Sequence, residues 1–299
     1  MSDRGCRNRF SMNSMNTDLA APREIAAFYH HTLRSVSLRR DWRGTGSWMQ
    51  RDPAPEDLVH AIETLEASPR RVLKSSGINH VLKGEMLGES VILKRYDLPR
   101  PRHRIKYLMR PSRGRRAWAA ALTLRACRIP TPPCLGFFEC GGRLPGTSYA
   151  IFRAEDDILS ARTWIKAWLH QRTDAFRTGF RDDLVDALLA LYRRGIYHGD
   201  TKTSNMLVRA PDDPDRREFL WIDLECVRFG VSPSRRQILR NLVQLNGSVG
   251  SKLSEGDRLE FLDEMAEIYP WLAGSHIAER IRAWTLKRLA REQSGQCGP

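Results

Sequence analysis

The order of two sequence patterns constrains the fold of this chain most strongly. Between residues 70 and 154, short runs rich in β-branched and aromatic residues alternate with turn residues, as is typical of strands. From about residue 160 onward, helical periodicity dominates. One helical pattern interrupts the first part and two short apolar runs interrupt the second, so the sequence predicts an α+β protein with a β-rich first half and a mainly helical second half.

The individual elements follow from the same patterns. The predicted strands are 70–76, 79–86, 89–96, 134–140, 147–154, 206–210 and 219–223. The predicted helices are 22–34, 55–66, 113–128, 160–171, 181–194, 235–246, 255–268 and 276–292. The first three strands form a plausible meander, and no internal repeat is visible.

Composition and charge narrow the class of protein. Of the 299 residues, 41% are apolar and 28% charged, which is typical of a globular protein, and the formal net charge of +14 favours an anionic partner. The six cysteines form no C-x-x-C pair, which favours free thiols in a reducing compartment. The first residues lack the apolar core of a secretory signal, and the longest apolar run, 117–122, is too short to span a bilayer. We therefore expect a cytoplasmic protein without a transmembrane segment.

The stretch YHGDTKTSNMLV, residues 197–208, concentrates the candidate catalytic residues. It contains His198, Asp200, Lys202 and Asn205, and the next apolar strand ends at Asp223. Phosphoryl transfer needs a carboxylate that accepts the acceptor's proton, oxygen ligands for Mg²⁺ and a cation on the phosphates. Asp200 fits the base, Asn205 and Asp223 fit the metal ligands, and Lys202 fits the cation. His198 is expected only to hold the loop backbone.

These motifs carry a resemblance to known kinases. The pattern H-x-D-x-x-x-x-N, followed by an apolar strand and Asp223, resembles the catalytic and metal-binding loops of protein kinases. The string VILK, ending at Lys94, matches the strand lysine that contacts the nucleotide phosphates. The HGD form, the strings GIYHGDTKTSN and WIDLE, and the basic run after Lys94 resemble the lipopolysaccharide core kinases of the Kdo/WaaP family over roughly residues 70–245.

The resemblance implies a bilobal protein-kinase-like fold that uses ATP and Mg²⁺ to phosphorylate a heptose or Kdo sugar of the lipopolysaccharide inner core. It implies an N-terminal arm with short helices at 1–68, expected to be flexible, an N-lobe at 69–156 and a C-lobe at 157–299. It also places the protein in the cytoplasm, with the option of peripheral attachment to the inner membrane. The alternatives are an atypical small-molecule or protein kinase, an RNA-associated atypical kinase, and an inactive nucleotide-binding regulator.

Three features depart from the usual kinase pattern. Kinases pair the strand lysine with a glutamate on the following helix, but the helix at 113–128 contains no acid and has Ala117 near the expected position. Asp223 or Glu139 is then expected to position Lys94. The run SSGINHVLKG lacks G-x-G-x-x-G, so Gly77 and Gly84 give only a weak nucleotide-loop signal. Glu225 replaces the glycine of D-F-G, either as a second metal ligand or as a surface carboxylate.

A basic segment follows Lys94 and suggests a membrane partner. Its cations are Lys94, Arg95, Arg100, Arg102, Arg104, Lys106, Arg110, Arg113, Arg115 and Arg116, against the single acid Asp97. The segment is either a solvated connector or a patch that binds an anionic membrane, where each cation contributes about 1 kcal/mol. Nucleic acid is a less favoured partner.

Overall fold

The computed structural model describes residues 21–35, 55–76, 78–98, 110–141, 145–156, 158–230, 232–249 and 253–294. The helices are α1 Pro22–Ser35, α2 Pro55–Ala67, α3 Arg113–Ala126, α4 Ala161–Ala167, α5 Asp174–Arg193, α6 Arg235–Val249, α7 Glu255–Ile268 and α8 Ser275–Gln293. The strands are β1 Arg71–Ser76, β2 Asn79–Met86, β3 Glu89–Tyr96, β4 Cys134–Gly141, β5 Pro145–Arg153, β6 Leu159–Ser160, β7 Ile196–Tyr197, β8 Met206–Arg209, β9 Glu218–Trp221 and β10 Arg228–Phe229. The predicted α+β order is confirmed.

A five-stranded antiparallel sheet organises the first half of the chain. Its strand order is β1-β2-β3-β5-β4, so β3 lies at the centre and Lys94 is paired with Val81 on one side and Ala150 on the other. Side chains alternate between the two faces along a strand, so Val91 and Leu93 of β3 face one side and Tyr96 the other. Lys94 and Tyr96 therefore share one face of the central strand.

Helices cover both faces of this sheet. Leu58, Ile62 and Leu65 of α2 pack on the face that carries Val91 and Leu93. On the other face lies α3, whose Ala117–Leu122 and Leu124 join the main core of the molecule. The helix approaches the sheet closely at Gly114, where a Cβ atom would lie 2.4 Å from the carbonyl oxygen of Tyr149. Glycine therefore sets the position of α3 over the sheet.

The two helices of the predicted N-terminal arm are packed against the rest of the chain. Ile25 of α1 is fully buried, and the ring of Tyr29 lies 4.6 Å from that of Phe229. α1 contacts α3 and β10, while α2 covers the sheet. The division of the chain at residues 69 and 157 stays a prediction.

The second half is mainly helical, as predicted, but α5 is longer than expected. It begins at Asp174 instead of residue 181, because the Thr173 hydroxyl accepts a hydrogen bond from the Phe176 amide, at 3.3 Å, and caps the helix. Phe180, Leu184 and Leu188 bury its inner side. None of the helices within the described ranges is long and apolar enough to cross a membrane.

Four cysteines fall in the described ranges, and all four are free thiols, as the sequence predicted. Cys6 and Cys297 lie outside those ranges. Short strands complete the second half: β6, β8 and β9 form one small sheet, and β7 pairs with β10. These pairings hold the loops that carry the candidate site.

Candidate active site

Two neighbouring loops carry the predicted catalytic residues. The first runs from the end of β7 to the start of β8 and contains His198, Asp200 and Asn205, and the second follows β9 and contains Asp223. The amide of Ile222 donates to the carbonyl of Asn205 at 3.0 Å, which joins the loops directly. Asp223 therefore lies next to the catalytic-loop residues because hydrogen bonds tie the ends of two strands together.

His198 links the two loops and is held neutral. Its ring is fully buried, and burial is the largest influence that lowers its pKa. Its Nε2 lies 3.0 Å from the carbonyl oxygen of Ile222, and the amide of Asp200 donates to its Nδ1 at 3.4 Å. A carbonyl only accepts, so the ring carries its proton on Nε2. The predicted structural role of His198 therefore has a specific geometric basis.

Asn205 and Lys202 both contact Asp200. The Asn205 amide nitrogen donates to Asp200 Oδ2 at 2.8 Å and to the Asp200 carbonyl oxygen at 3.1 Å. Lys202 Nζ is 3.6 Å from Asp200 Oδ1. Asn205 thus fixes the rotamer of the carboxylate while its own Oδ1 points away from Asp200 and lies 3.4 Å from the Ser204 hydroxyl.

Lys94 reaches from the sheet to Asp223 and forms an ion pair with its Oδ1. Burial lowers the pKa of Lys94, but the carboxylates of Asp223 and Glu225 outweigh it and raise the pKa above its usual value. Lys94 in turn holds the pKa of Asp223 below its usual value. Asp223 has the left-handed backbone conformation, with φ 61° and ψ 52°, which residues other than glycine rarely adopt.

The pairing answers how Lys94 is held without an acid on α3. Asp223 is the partner of Lys94. Glu139 instead interacts with Arg115: burial lowers the pKa of Arg115, and the charge of Glu139 only partly offsets that effect. Glu225 lies on the same side as Lys94, and the hydroxyl of Tyr96 is 3.5 Å from its Oε2. Glu225 is therefore oriented toward the cleft by the buried Tyr96.

Helix α6 anchors the catalytic loop through polar side chains that the sequence analysis did not identify. Gln244 accepts from the Thr201 amide at 3.1 Å and donates to the Gly199 carbonyl at 3.0 Å. The Thr201 hydroxyl donates to the carbonyl of Asn241 at 2.9 Å, and Ser248 Oγ accepts from the Thr203 amide at 2.9 Å. The available signal was the presence of polar residues on the apolar side of an amphipathic helix.

The nucleotide-loop glycines are only partly accounted for. Gly84 lies inside β2, where a Cβ atom would meet Leu65 of α2 at 2.3 Å, so this glycine serves helix packing. Gly77 lies outside the described residues. The contribution of Gly84 to phosphate binding stays a prediction.

The donors present suit a hard cation. Within the described ranges, no three His, Cys, Asp or Glu side chains come together as a metal site. Asn205 contacts Asp200 through its amide nitrogen and keeps Oδ1 for another partner, and Asp223 has a second carboxylate oxygen besides the one that pairs with Lys94. Mg²⁺ commonly takes one or two protein oxygens and fills its shell with phosphate oxygens and water, so this pair fits Mg²⁺ bound together with a nucleotide.

Comparisons with known proteins agree with this geometry. A solved structure described as "WaaP in complex with acyl carrier protein" matches with a TM-score of 0.54 and 18% sequence identity, covering 84% of this chain and 95% of that one. The match confirms the predicted kinase-like fold. No curated protein sequence matches. A model of the lipopolysaccharide kinase (Kdo/WaaP) family matches residues 96–264, more than half of the chain, beginning two residues after Lys94. The chain therefore belongs to the lipopolysaccharide kinase (Kdo/WaaP) family and is a kinase.

Proposed function

We propose that this kinase transfers a phosphoryl group from ATP to a hydroxyl of a heptose or Kdo sugar in the lipopolysaccharide inner core. The observation that carries the proposal is the convergence of Asp200, Asn205 and Asp223 in one cleft of a member of this family, with Lys94 paired to Asp223. A regulator that had lost catalysis would not need the carboxylate of Asp200 fixed beside the metal-ligand pair.

Each residue has a distinct part in the transfer. Asp200 accepts the proton of the acceptor hydroxyl while the new O–P bond forms and the bond to the ADP oxygen breaks. Asn205 holds Asp200 in position, and Lys202, close to Asp200, neutralises charge on the transferring group. Lys94 binds the nucleotide phosphates. Mg²⁺, held by Asn205 and Asp223, would supply positive charge to the phosphates.

The test separates chemistry from nucleotide binding. Asp200→Asn keeps the shape of the side chain but removes the proton acceptor, so we expect the rate to fall by roughly 10²–10⁴-fold while ATP still binds. Asp223→Ala should weaken Mg²⁺-dependent ATP binding itself. The exposed Asp263 of α7 provides a matched control, and Asp263→Asn should leave both quantities unchanged.

Mass spectrometry of core oligosaccharide incubated with ATP and each protein reads out the product. Gain of one phosphate on a heptose or Kdo supports the proposal and names the sugar. An unmodified core, with transfer to a protein, an RNA or a small molecule, would refute it in favour of the alternative kinase functions. Loss of ATP binding in Asp200→Asn would show that its assigned role as base is wrong.

We also propose that the basic segment brings the enzyme to an anionic membrane surface. Several of its cations have partners within the fold: Lys94 pairs with Asp223, Arg95 with Glu66 and Asp97, and Arg113 with Asn79. Arg100, Arg102, Arg104 and Lys106 lie outside the described residues. The proposal therefore rests on these four.

Vesicles with acidic lipid should bind the wild type at low salt and release it as salt rises, because such attraction is screened over about 8 Å at physiological ionic strength. Replacement of the four cations by Gln should weaken binding at every salt concentration. Equal binding of both proteins would favour the solvated connector.

A further inference from the structure

Four arginines stand on elements that contact the catalytic loop, the strand before it or the turn after Asp223, and the phosphoryl-transfer roles described above use none of them. We refer to Arg113, Arg116, Arg228 and Arg240 as the arginine rim. Arg113 and Arg116 lie in the first turns of α3, which packs on the turn Leu224–Cys226 directly after Asp223. These two residues therefore approach the loops from the side of the sheet.

The other two arginines approach from the second half of the chain. Arg228 lies opposite Tyr197 in the β7–β10 ladder, and Tyr197 is three residues before Asp200. Arg240 directly precedes Asn241, whose carbonyl accepts the hydrogen bond of the Thr201 hydroxyl at 2.9 Å. The backbone on which each of these arginines stands is thus tied to the backbone around Asp200.

The charges of the rim arginines and of Asp200 affect the pKa of the same two side chains, Tyr197 and Cys226. Burial raises the pKa of Tyr197, the charges of Arg240 and Arg228 lower it, and Asp200 raises it. Burial likewise raises the pKa of Cys226, and the charges of Glu225 and Asp200 raise it further, whereas Arg116 and Arg113 lower it. Cys226 also adjoins the catalytic loop, since a Cβ atom on Gly199 would lie 3.1 Å from its carbonyl oxygen.

Arg113 donates to Asn79, and Glu225 acts together with Arg113 and Arg116 on Cys226, so the charge available to a ligand is that of Arg228 and Arg240. Arg228 and Arg240 are exposed, and neither forms an ion pair with any residue that the structure describes. Asp223 is already paired with Lys94, and Asp200 lies beside Lys202. An arginine presents a planar fork of donors that matches a carboxylate or a phosphate in two parallel hydrogen bonds. The rim therefore suits an anionic group close to the reacting hydroxyl.

We propose that Arg228 and Arg240, supported by Arg113 and Arg116, bind a carboxylate or phosphate group of the acceptor, next to the hydroxyl that becomes phosphorylated. The inference rests on the proposed function and adds which residues hold the anionic group of the acceptor. The nucleotide is the other possible source of a phosphate, but Lys94, Asn205 and Asp223 already surround its site. The rim instead selects the acceptor and orients its hydroxyl toward Asp200.

The test uses the full chain with the double substitution Arg228→Gln/Arg240→Gln. The matched control is Arg193→Gln/Arg291→Gln, which removes two exposed arginines of α5 and α8. We expect KM for core oligosaccharide to rise about tenfold or more in the rim variant, because hydrogen bonds to charged groups are worth that much. KM for ATP should stay the same, and the control should match the wild type in both.

The acceptor provides the complementary perturbation. The phosphates of the core oligosaccharide are removed enzymatically in one sample, and its carboxylates are converted to methyl esters in another. The treatment that removes the group bound by the rim should raise the wild-type KM to that of the rim variant. The KM of the rim variant should not change further. An equal further rise in the variant, or a rise in KM for ATP instead, would overturn the inference.

A binding measurement makes failure of the inference distinguishable from failure of the proposed function. With ADP saturating the nucleotide site, calorimetric titration with inorganic phosphate should show about tenfold weaker binding to the rim variant than to the wild type and the control. If phosphate binding is lost in the rim variant but no core sugar is phosphorylated, the proposed function fails and the anion site stands. If core sugar is phosphorylated and the rim variant behaves as the control, the anion site fails.

Discussion

Replacement of Gln244 by Met tests whether helix α6 positions the catalytic base. Met has a similar length but offers no comparable hydrogen bonds, so the change removes the bonds to the Thr201 amide and the Gly199 carbonyl. Thr201 is fully buried, and an unsatisfied buried amide costs about 1–3 kcal/mol. Gly199 is partly exposed, so water can replace its bond and the net loss is about 0.5–1.5 kcal/mol.

The sum predicts that Gln244→Met lowers the free energy of unfolding by about 1.5–4.5 kcal/mol, measured by urea denaturation. Because these bonds flank Asp200, we also expect kcat to fall by up to about 10²-fold, as small displacements of catalytic groups cost rates of that order. Arg236→Met, at an exposed position of the same helix, is the control and should change the free energy of unfolding by less than about 0.5 kcal/mol.

Two outcomes would refute the reasoning in different ways. If Gln244→Met and Arg236→Met have the same free energy of unfolding, the two hydrogen bonds do not hold the loop. If stability falls but kcat per folded molecule does not, the bonds stabilise the second half of the chain without positioning Asp200.

Two further predictions concern stability. Gly114→Ala places a Cβ atom 2.4 Å from the backbone of Tyr149 and should lower the free energy of unfolding by about 1–3 kcal/mol. The control Gly179→Ala lies in open space on α5 and should raise the free energy of unfolding by about 0.5–1 kcal/mol. Similar values for both variants in urea denaturation would contradict the close approach of α3 to the sheet. His198 has a lowered pKa, so below its ordinary value of 6.5 the unfolded chain binds a proton that the folded chain does not, and stability should fall with decreasing pH by up to about 1.4 kcal/mol per unit. His198→Gln should reduce this pH dependence of stability. The control His60→Gln, at an exposed position, should keep the part of the pH dependence that is due to His198. If His198→Gln shows the same pH dependence as the wild type, other groups cause it.

The sequence alone determined most of the longer strands and helices and the order of the candidate catalytic residues. Strand and helix periodicities are local properties, and β2, β3 and α7 have the predicted bounds. The spacing of Asp200 and Asn205 is also local, since both lie on one loop and Asn205, five residues after Asp200, donates a hydrogen bond to its carboxylate. The chemistry of phosphoryl transfer could therefore be predicted before any contact was known.

Tertiary structure decided which residues meet across long separations. The sheet places β5 between β3 and β4, and the ion pair of Lys94 with Asp223 joins the sheet to a loop of the second half. The sequence left both Asp223 and Glu139 open as partners of Lys94, because charge alone does not show which carboxylate lies near it. The role of Gln244 was missed because a polar side chain on the apolar face of a helix does not indicate which group it will hydrogen-bond; here that group is the Thr201 amide. Amphipathic patterns show that a face is buried, but only packing determines what it is buried against.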